Sequence, residues 1–299
     1  MRTVYLGTSQ FAAQVLVALA DSSHRPALVL TRPDRPRGRG RRPAAPPVAD
    51  AARDLGIELA QPDSINSESA RGQIADASPD VVCVCAFGAV IAEPLLSAHP
   101  FLNVHPSLLP RWRGAAPIER AIMAGDADTG VSIMRLTQGL DSGPVCLAAP
   151  AAIDAGDSYG TLAPRLAELG GRLLLQALDG FEGLAFAAQD EAGATYADKI
   201  TAADRLLDGA RPAADEERAV RALTPHVGAA VLLADGRRLG VLEAHAHDAD
   251  ADDPAPGEVV LDGAEPVLGC SPGALALTVV QPEGRRAMPG DAYLRGLRA

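Results

Sequence analysis

FLNVHPSLLPRWRGAAPI, residues 101–118, joins a short strand to a long loop and then to a helix. Apolar Phe101, Leu102 and Val104 mark the strand, and Pro106 cannot donate to a ladder, so the strand stops just after His105. Side chains two apart on a strand point the same way, which puts Asn103 and His105 on one face at its carboxyl end. In an open parallel sheet that end is where ligands bind. Asn103 offers an amide donor, and His105 the side chain whose charge changes most easily near neutral pH. Together they suit an oxygen that becomes negative during a reaction, although a turn-capping Asn and a half-buried core His would read the same way. Beyond them Ser107-Leu108-Leu109-Pro110 is stiff and apolar. Arg111 and Arg113 then flank the only Trp, and Gly114-Ala115-Ala116-Pro117 enters the helix. A long loop with so little bulk near its end is shaped for something to lie against it.

On the amino-terminal side, Val4-Tyr5-Leu6 ends at Gly7 and the helical stretch Phe11–Ala20 follows directly. A strand, a tight turn and a helix open a wound α/β sheet. One glycine is too few for a dinucleotide fingerprint. Ala27–Leu30 reads as the second strand, Val48–Leu55 as helix, Ile57–Leu59 as a short strand and Ser67–Ala77 as helix. Val81–Cys85 is a continuous apolar run suited to a strand buried on both faces. A helix over Ala89–Ser97 returns the chain to Phe101. On the carboxyl side, Ile118–Ala124 is helical, Val131–Leu136 and Val145–Ile153 are strands, and Tyr159–Asp179 is a long helix covering one face.

The chain carries 299 residues and a formal net charge of −11, which by its sum argues against a nucleic-acid partner. The distribution argues otherwise. Between Arg32 and Arg42 six Arg face one Asp, and proline and glycine keep that stretch from helix or strand interior. A loop of such length is uncommon without a task. Lys199 is the single lysine, so phosphate contacts fall to the planar, forked donors of Arg. Cys83, Cys85, Cys146 and Cys270 form no C-x-x-C pair, and the first two sit in an apolar run where they pack. No signal-peptide core or membrane-length run is present, so a soluble protein of the reduced cytoplasm is expected, without a membrane partner.

Asn-x-His followed by SLLPRWRGAAPI resembles the signature of the formyltetrahydrofolate-dependent formyltransferases, most of all the branch acting on methionyl-tRNA. The resemblance extends along the chain. GTSQFA stands where the family has a Gly-Thr-Pro-x-Phe turn, with Ser9 in place of proline. Ala86-Phe87-Gly88 resembles the family's pterin-binding turn. Gly139-Leu140-Asp141-Ser142-Gly143 resembles its Gly-Leu-Asp-x-Gly element, although an Asp between glycines by itself is usually a turn residue. The resemblance therefore implies a catalytic trio of Asn103, His105 and Asp141. It implies folate contacts at Phe87, Gly88, Ser107, Leu108, Leu109 and Pro110. It implies that the basic loop inserts at the tRNA acceptor end, with Arg39 foremost and Arg35, Arg37, Arg41 and Arg42 beside it. The implied co-substrate is 10-formyltetrahydrofolate, the implied acceptor methionyl initiator tRNA, and no metal is needed.

From Val231 onward short strands are divided by Asp235-Gly236, Asp262-Gly263 and Pro272-Gly273, which suggests a small barrel. Thr195-Tyr196-Ala197-Asp198-Lys199-Ile200 resembles the family's interdomain segment. The expected organisation is a Rossmann-like wound α/β catalytic domain at 1–185, a linker at 186–204 and an OB-like barrel at 205–299 that holds tRNA. That last part is the weakest match. It carries ten Arg against fifteen acids, and Thr224-Pro225-His226-Val227-Gly228 lacks the Trp of the family's Asn-Pro-Trp-Pro stretch. Arg237, Arg238, Arg285 and Arg286 are its basic candidates. His245 and His247 alternate there with no third ligand in view.

The implied chemistry needs no covalent intermediate, in keeping with the lack of a positioned Ser or Cys nucleophile. Asn103 and a protonated His105 would face the oxyanion, and Asp141 would hold His105 and take the amine's proton. Competing readings are transfer to a sugar nucleotide or other small amine, hydrolysis of the formyl donor, and RNA binding without catalysis. A monomer is expected. If the basic loop grips phosphate, Arg39→Ala raises the tRNA concentration required and reduces the slope of log affinity against log salt by about 1. Affinity measured across a salt series checks it, and an unchanged slope would leave the loop a solvated arm.

Overall fold

The seven-stranded sheet of the amino-terminal half grows outward from β1 (Thr3–Gly7), whose residues are all buried. After it come α1 (Gln10–Ala20), β2 (Pro26–Leu30), β3 (Arg35–Arg37), β4 (Arg42–Ala44), α2 (Pro47–Asp54) and β5 (Leu59–Ala60). They are followed by α3 (Glu68–Ala77), β6 (Val81–Cys85), α4 (Leu95–Ala98), β7 (Phe101–His105), β8 (Arg113–Gly114) and α5 (Pro117–Ala124). The half closes with β9 (Asp128–Arg135), β10 (Val145–Ala152), α6 (Tyr159–Asp179) and β11 (Tyr196–Ala197). The computed structural model describes residues 1–37, 42–250 and 253–298. It divides the chain into two units, Met1–Pro117 with Asp128–Ala152 and Ala163–Ala197, and Ile118–Ala127 with Ile153–Leu162 and Asp198–Ala299.

Strand order in the first sheet is β10-β9-β7-β6-β1-β2-β5. The five strands from β7 to β5 are parallel, while β9 runs antiparallel to β7 and β10 to β9. This is a Rossmann-like wound sheet with an antiparallel edge, a common arrangement in doubly wound folds. The chain steps from β1 to β2 on one side and later to β6 on the other. The carboxyl ends of β1, β6 and β7 therefore open onto the crevice at the reversal point. Val81–Cys85 is buried at every position, and burial pushes the Cys83 and Cys85 thiols up to about 12, so both pack as small apolar groups. Ser9, at the family's proline position, caps α1: its hydroxyl accepts from the Ala12 amide at 3.2 Å.

Two expectations are corrected. The helix over Ala89–Ser97 shrinks to α4, because Pro94 has no N–H and drives Glu93 out of helical backbone. The basic stretch contains strand after all: β3 pairs antiparallel with β4, Pro36 opposite Pro43. Two prolines facing each other suit a non-hydrogen-bonded pair, which asks for no N–H. Smaller shifts put the Ile57–Leu59 strand at β5 and start β9 three residues earlier than Val131.

The second unit contains α7 (Ala213–Leu223), β12 (Ala229–Leu232), β13 (Arg238–His247), β14 (Val259–Val260), β15 (Val267–Gly269), β16 (Ala274–Pro282), β17 (Met288–Pro289) and α8 (Gly290–Arg298). The strands form an antiparallel half-barrel in the order β12-β13-β16-β15-β14, with β17 on β16. Leu223, Val231, Val241, Leu275, Leu277 and Leu294 fill its core. Helices α7 and α8 are additions to the turns and strands expected over 205–299. His245 and His247 lie exposed on β13.

Against the first sheet, α6 lies close enough that side-chain bulk is excluded. A Cβ on Gly170 would stand 2.8 Å from Val104 Cγ1, and one on Gly171 2.8 Å from the Cβ of Ala18. The helix thus presses directly on the strand that carries Asn103 and His105. Gly170→Val should overpack this contact and lower stability by about 1–3 kcal/mol, read as a reduced urea midpoint at unchanged slope. An unshifted midpoint would mean that α6 can lift from β7 freely.

Candidate active site

β7 delivers Asn103 and His105 to the carboxyl edge of the sheet, 7% and 4% exposed respectively. Asp141 arrives from the turn between β9 and β10, held at φ +44°, a left-handed backbone that non-glycine residues seldom adopt. Its Oδ1 stands 3.5 Å from Asn103 Nδ2 and its Oδ2 stands 3.6 Å from His105 Nδ1. All three residues singled out in the sequence are therefore gathered around one carboxylate. Oδ2 also accepts a hydrogen bond from the Gly114 amide at 2.9 Å.

His105 Nε2 lies 2.8 Å from the Trp112 carbonyl oxygen. A carbonyl can only accept, so Nε2 carries a proton and Nδ1 is the nitrogen turned toward Asp141. Trp112 itself sits at φ +62° and Gly114 at φ +123°. The loop keeps this shape because it is strapped to a later segment. The Trp112 amide donates to Thr195 Oγ1 at 2.9 Å, the Arg113 amide to the Thr195 carbonyl at 2.9 Å, and the Ala115 amide to the Ala197 carbonyl at 2.8 Å. A Cβ at Gly114 would lie 2.7 Å from the Ala197 carbonyl oxygen, so the strap requires glycine.

Ser107 is buried and its hydroxyl donates to the Arg111 carbonyl at 2.6 Å, so it shapes the loop. Ser132 continues the brace: its hydroxyl donates to the Ser107 carbonyl at 2.8 Å and accepts from the Leu109 amide at 3.1 Å. Leu108, Leu109 and Pro110 are half-buried and present apolar surface. Phe87 is buried in the core beside Leu6, Leu30 and Leu95. Ala86 and Gly88 around it are exposed, at φ +42° and +73°. The carbonyls of Phe87 and Gly88 accept from Thr8 Oγ1 at 2.8 Å and from Arg32 Nη1 at 3.0 Å. Since β6 and β7 are neighbours, this turn and the apolar loop leave the same edge of the sheet. Exposed backbone beside apolar side chains fits a flat heterocycle with polar edges.

Arg35 is exposed on β3, and the backbones of Arg37 and Arg42 pair across the hairpin. Arg39 and Arg41 lie outside the described residues. Among the described residues no group of three or more His, Cys, Asp or Glu could hold a metal ion, and no helix is long and apolar enough to cross a membrane.

Residues 1–178 match the family model described as formyl transferase, and residues 199–298 match that of the formyl transferase C-terminal domain. The chain belongs to the formyl transferase family. A methionyl-tRNA formyltransferase of Cereibacter sphaeroides is 40% identical over 298 residues, covering 99% of this chain and 96% of the relative. One from Ruegeria pomeroyi is 41% identical over 298 residues, covering 99% of this chain and 97% of the relative. Among solved structures, HypX from Aquifex aeolicus in complex with tetrahydrofolic acid has a TM-score of 0.67 at 17% identity, covering 98% of this chain and 47% of that one. It shares the fold.

Three groups around the trio were absent from the sequence reading of the site: the Trp112 carbonyl, the Gly114 amide and the side chain of Gln189. The first two belong to the quoted loop, but backbone groups leave no mark in a residue pattern. Gln189 lies 48 positions beyond Asp141, in a stretch without periodicity. Gly114→Ala should strain the strap and move the amide off Asp141, costing about 1–3 kcal/mol of stability and part of the turnover. Urea denaturation alongside formylation rates tests this, and a variant matching wild type in both would show that the loop does not depend on glycine.

Proposed function

We propose that this chain transfers the formyl group of 10-formyltetrahydrofolate to the α-amino group of methionyl initiator tRNA. The observation that carries the reading is identity of about 40%, along 99% of the chain, to relatives named for that reaction. The convergence of Asn103, His105 and Asp141 supplies chemistry to match.

In this reading the acceptor nitrogen bonds to the formyl carbon, the bond from that carbon to the folate nitrogen breaks, and one proton passes from the amine to the departing nitrogen. The amine attacks in its neutral form. A free α-amino group titrates near about 7.7–8.0, and esterification of the neighbouring carboxyl lowers that, so an aminoacyl ester is largely reactive at pH 7. Negative charge develops on the formyl oxygen. Asn103 Nδ2 and His105 Nδ1 both point to the space at the Asp141 carboxylate, at 3.5 and 3.6 Å. Those separations are long for hydrogen bonds, so Asn103, and His105 once Nδ1 carries a second proton, can turn to an oxyanion without breaking a strong contact. Asp141 orients His105 and receives the amine proton through water.

The turn at Phe87–Gly88 and the loop Ser107–Pro110 would hold the folate. The arginines around the β3–β4 hairpin, Arg35, Arg37, Arg39, Arg41 and Arg42, would neutralise phosphates of the tRNA. The half-barrel within 205–299 would take a further part of it through Arg237, Arg238, Arg285 and Arg286. One chain carries the whole trio, so a monomer suffices, working in the cytoplasm where translation starts.

Incubating the protein with formyl donor and methionyl initiator tRNA should yield formylmethionine on the tRNA. Asn103→Ala and His105→Ala should each slow transfer by about 10²- to 10³-fold while filter binding of the tRNA stays within about twofold of wild type. Either variant turning over near the wild-type rate would remove the oxyanion site from the account.

A further inference from the structure

The turn that carries Asp141 has an unfavourable backbone, so something must hold it in register with β7. The Gly114 amide grips the carboxylate itself, at 2.9 Å, but nothing in that bond fixes the peptide behind it. The side chain of Gln189 does. Its Nε2 donates to the Asp141 carbonyl at 2.8 Å and to the Gly143 carbonyl at 2.7 Å. Its Oε1 accepts from Arg113 Nε at 2.9 Å. Both amide protons and one acceptor site are thereby used, which leaves the amide a single orientation.

Arg113 is anchored in turn. It is 2% exposed, and its two terminal nitrogens donate to the Glu191 carboxylate oxygens at 2.9 and 2.8 Å in a bidentate pair. Gln189 and Glu191 sit in the stretch that the sequence reading made a linker. That stretch is joined to β10 by reciprocal bonds between Val145 and Ala187, each 2.9 Å, and to the Trp112–Ala115 loop through Thr195 and Ala197. The side chain of Gln189 bonds both halves of the site: the Asp141 turn through its amide nitrogen, and the loop bearing Gly114 through Arg113.

We infer that Gln189 is a positioning residue for formyl transfer, setting the Asp141 carboxylate against His105 and Asn103 without itself meeting substrate. The inference rests on the proposed role of Asp141. It also explains why an amide stands at this position. A carboxylate there would turn oxygen toward two carbonyl oxygens, and a hydrocarbon would leave both carbonyls without a donor.

The test uses Gln189→Glu, which keeps the acceptor for Arg113, and Gln189→Met, which removes both donors without adding charge. Each should lower kcat by about 10²-fold with KM for folate and tRNA within about twofold, because displacement of a catalytic group by about 1 Å is enough for such a loss. In an Asp141→Asn background the same changes should cost less than about threefold more, since they act through Asp141. The second readout needs no substrate. The Gly114 amide of the free protein should exchange with deuterium about tenfold faster or more in both variants, having lost a fixed acceptor.

Full additivity with Asp141→Asn, or unchanged Gly114 exchange in both variants, would overturn the inference. Wild-type protein that formylates no methionyl-tRNA, while Gly114 exchange still responds to Gln189, would overturn the reaction assignment and leave the positioning contact standing.

Discussion

A carboxylate held between an amide and an imidazole is unstable in position unless the backbone fixes it, and here the fixing bond is the one from the Gly114 amide to Asp141 Oδ2. It spans two loops that are far apart in the chain. The first leaves β7 and turns through Trp112 and Gly114 in left-handed conformations. The second links β9 and β10 and places Asp141 in another. For the non-glycine residues Trp112 and Asp141 such conformations cost about 1–3 kcal/mol each and persist only where surrounding contacts over-determine them. The straps to Thr195 and Ala197, the amide of Gln189 and the ion pair of buried Arg113 with Glu191 are those contacts.

The sheet supplies the rigid side of this arrangement. β7 lies between β6 and β9, with α6 pressed against Val104 so closely that Gly170 admits no side chain. Asn103 and His105 therefore stand on a strand that cannot tilt. Precision on one side and strapped loops on the other is how a site holds its donors to within about 0.5 Å of the geometry a developing oxyanion requires while remaining open at the strand ends. Charge is divided by region in the same way. The chain is acidic overall, but six arginines cluster between residues 32 and 42, directly after β2 in the chain.

Much of this was legible before any coordinates. The strand ending at Pro106, the buried run Val81–Cys85, the helix that follows the turn at Gly7 and the long helix α6 all follow from periodicity and from what proline and glycine permit. Asn103 and His105 could be paired because two residues apart on a strand means the same face. Asp141 needed the resemblance, since an Asp between glycines is ordinary turn chemistry. The losses are equally physical. Pro94 cut short a helix that apolar spacing alone favoured. The β3–β4 pairing escaped because proline reads as a strand breaker, yet two facing prolines fit a two-stranded ribbon. Helices α7 and α8 were hidden among turn signals that describe the half-barrel around them.

By itself, then, the order of residues determined the wound sheet, the position of the polar pair at a strand end and the place where basic charge gathers. These depend on local periodicity, on backbone restriction and on counting, all of which act within a few residues. Only the tertiary structure decided that Trp112 and Gly114 would meet His105 and Asp141 through backbone atoms, and that Gln189 would brace the turn from 48 residues away. Backbone carbonyls and amides are common to every residue, so which of them faces a side chain is a property of loop closure and not of the letters in the sequence.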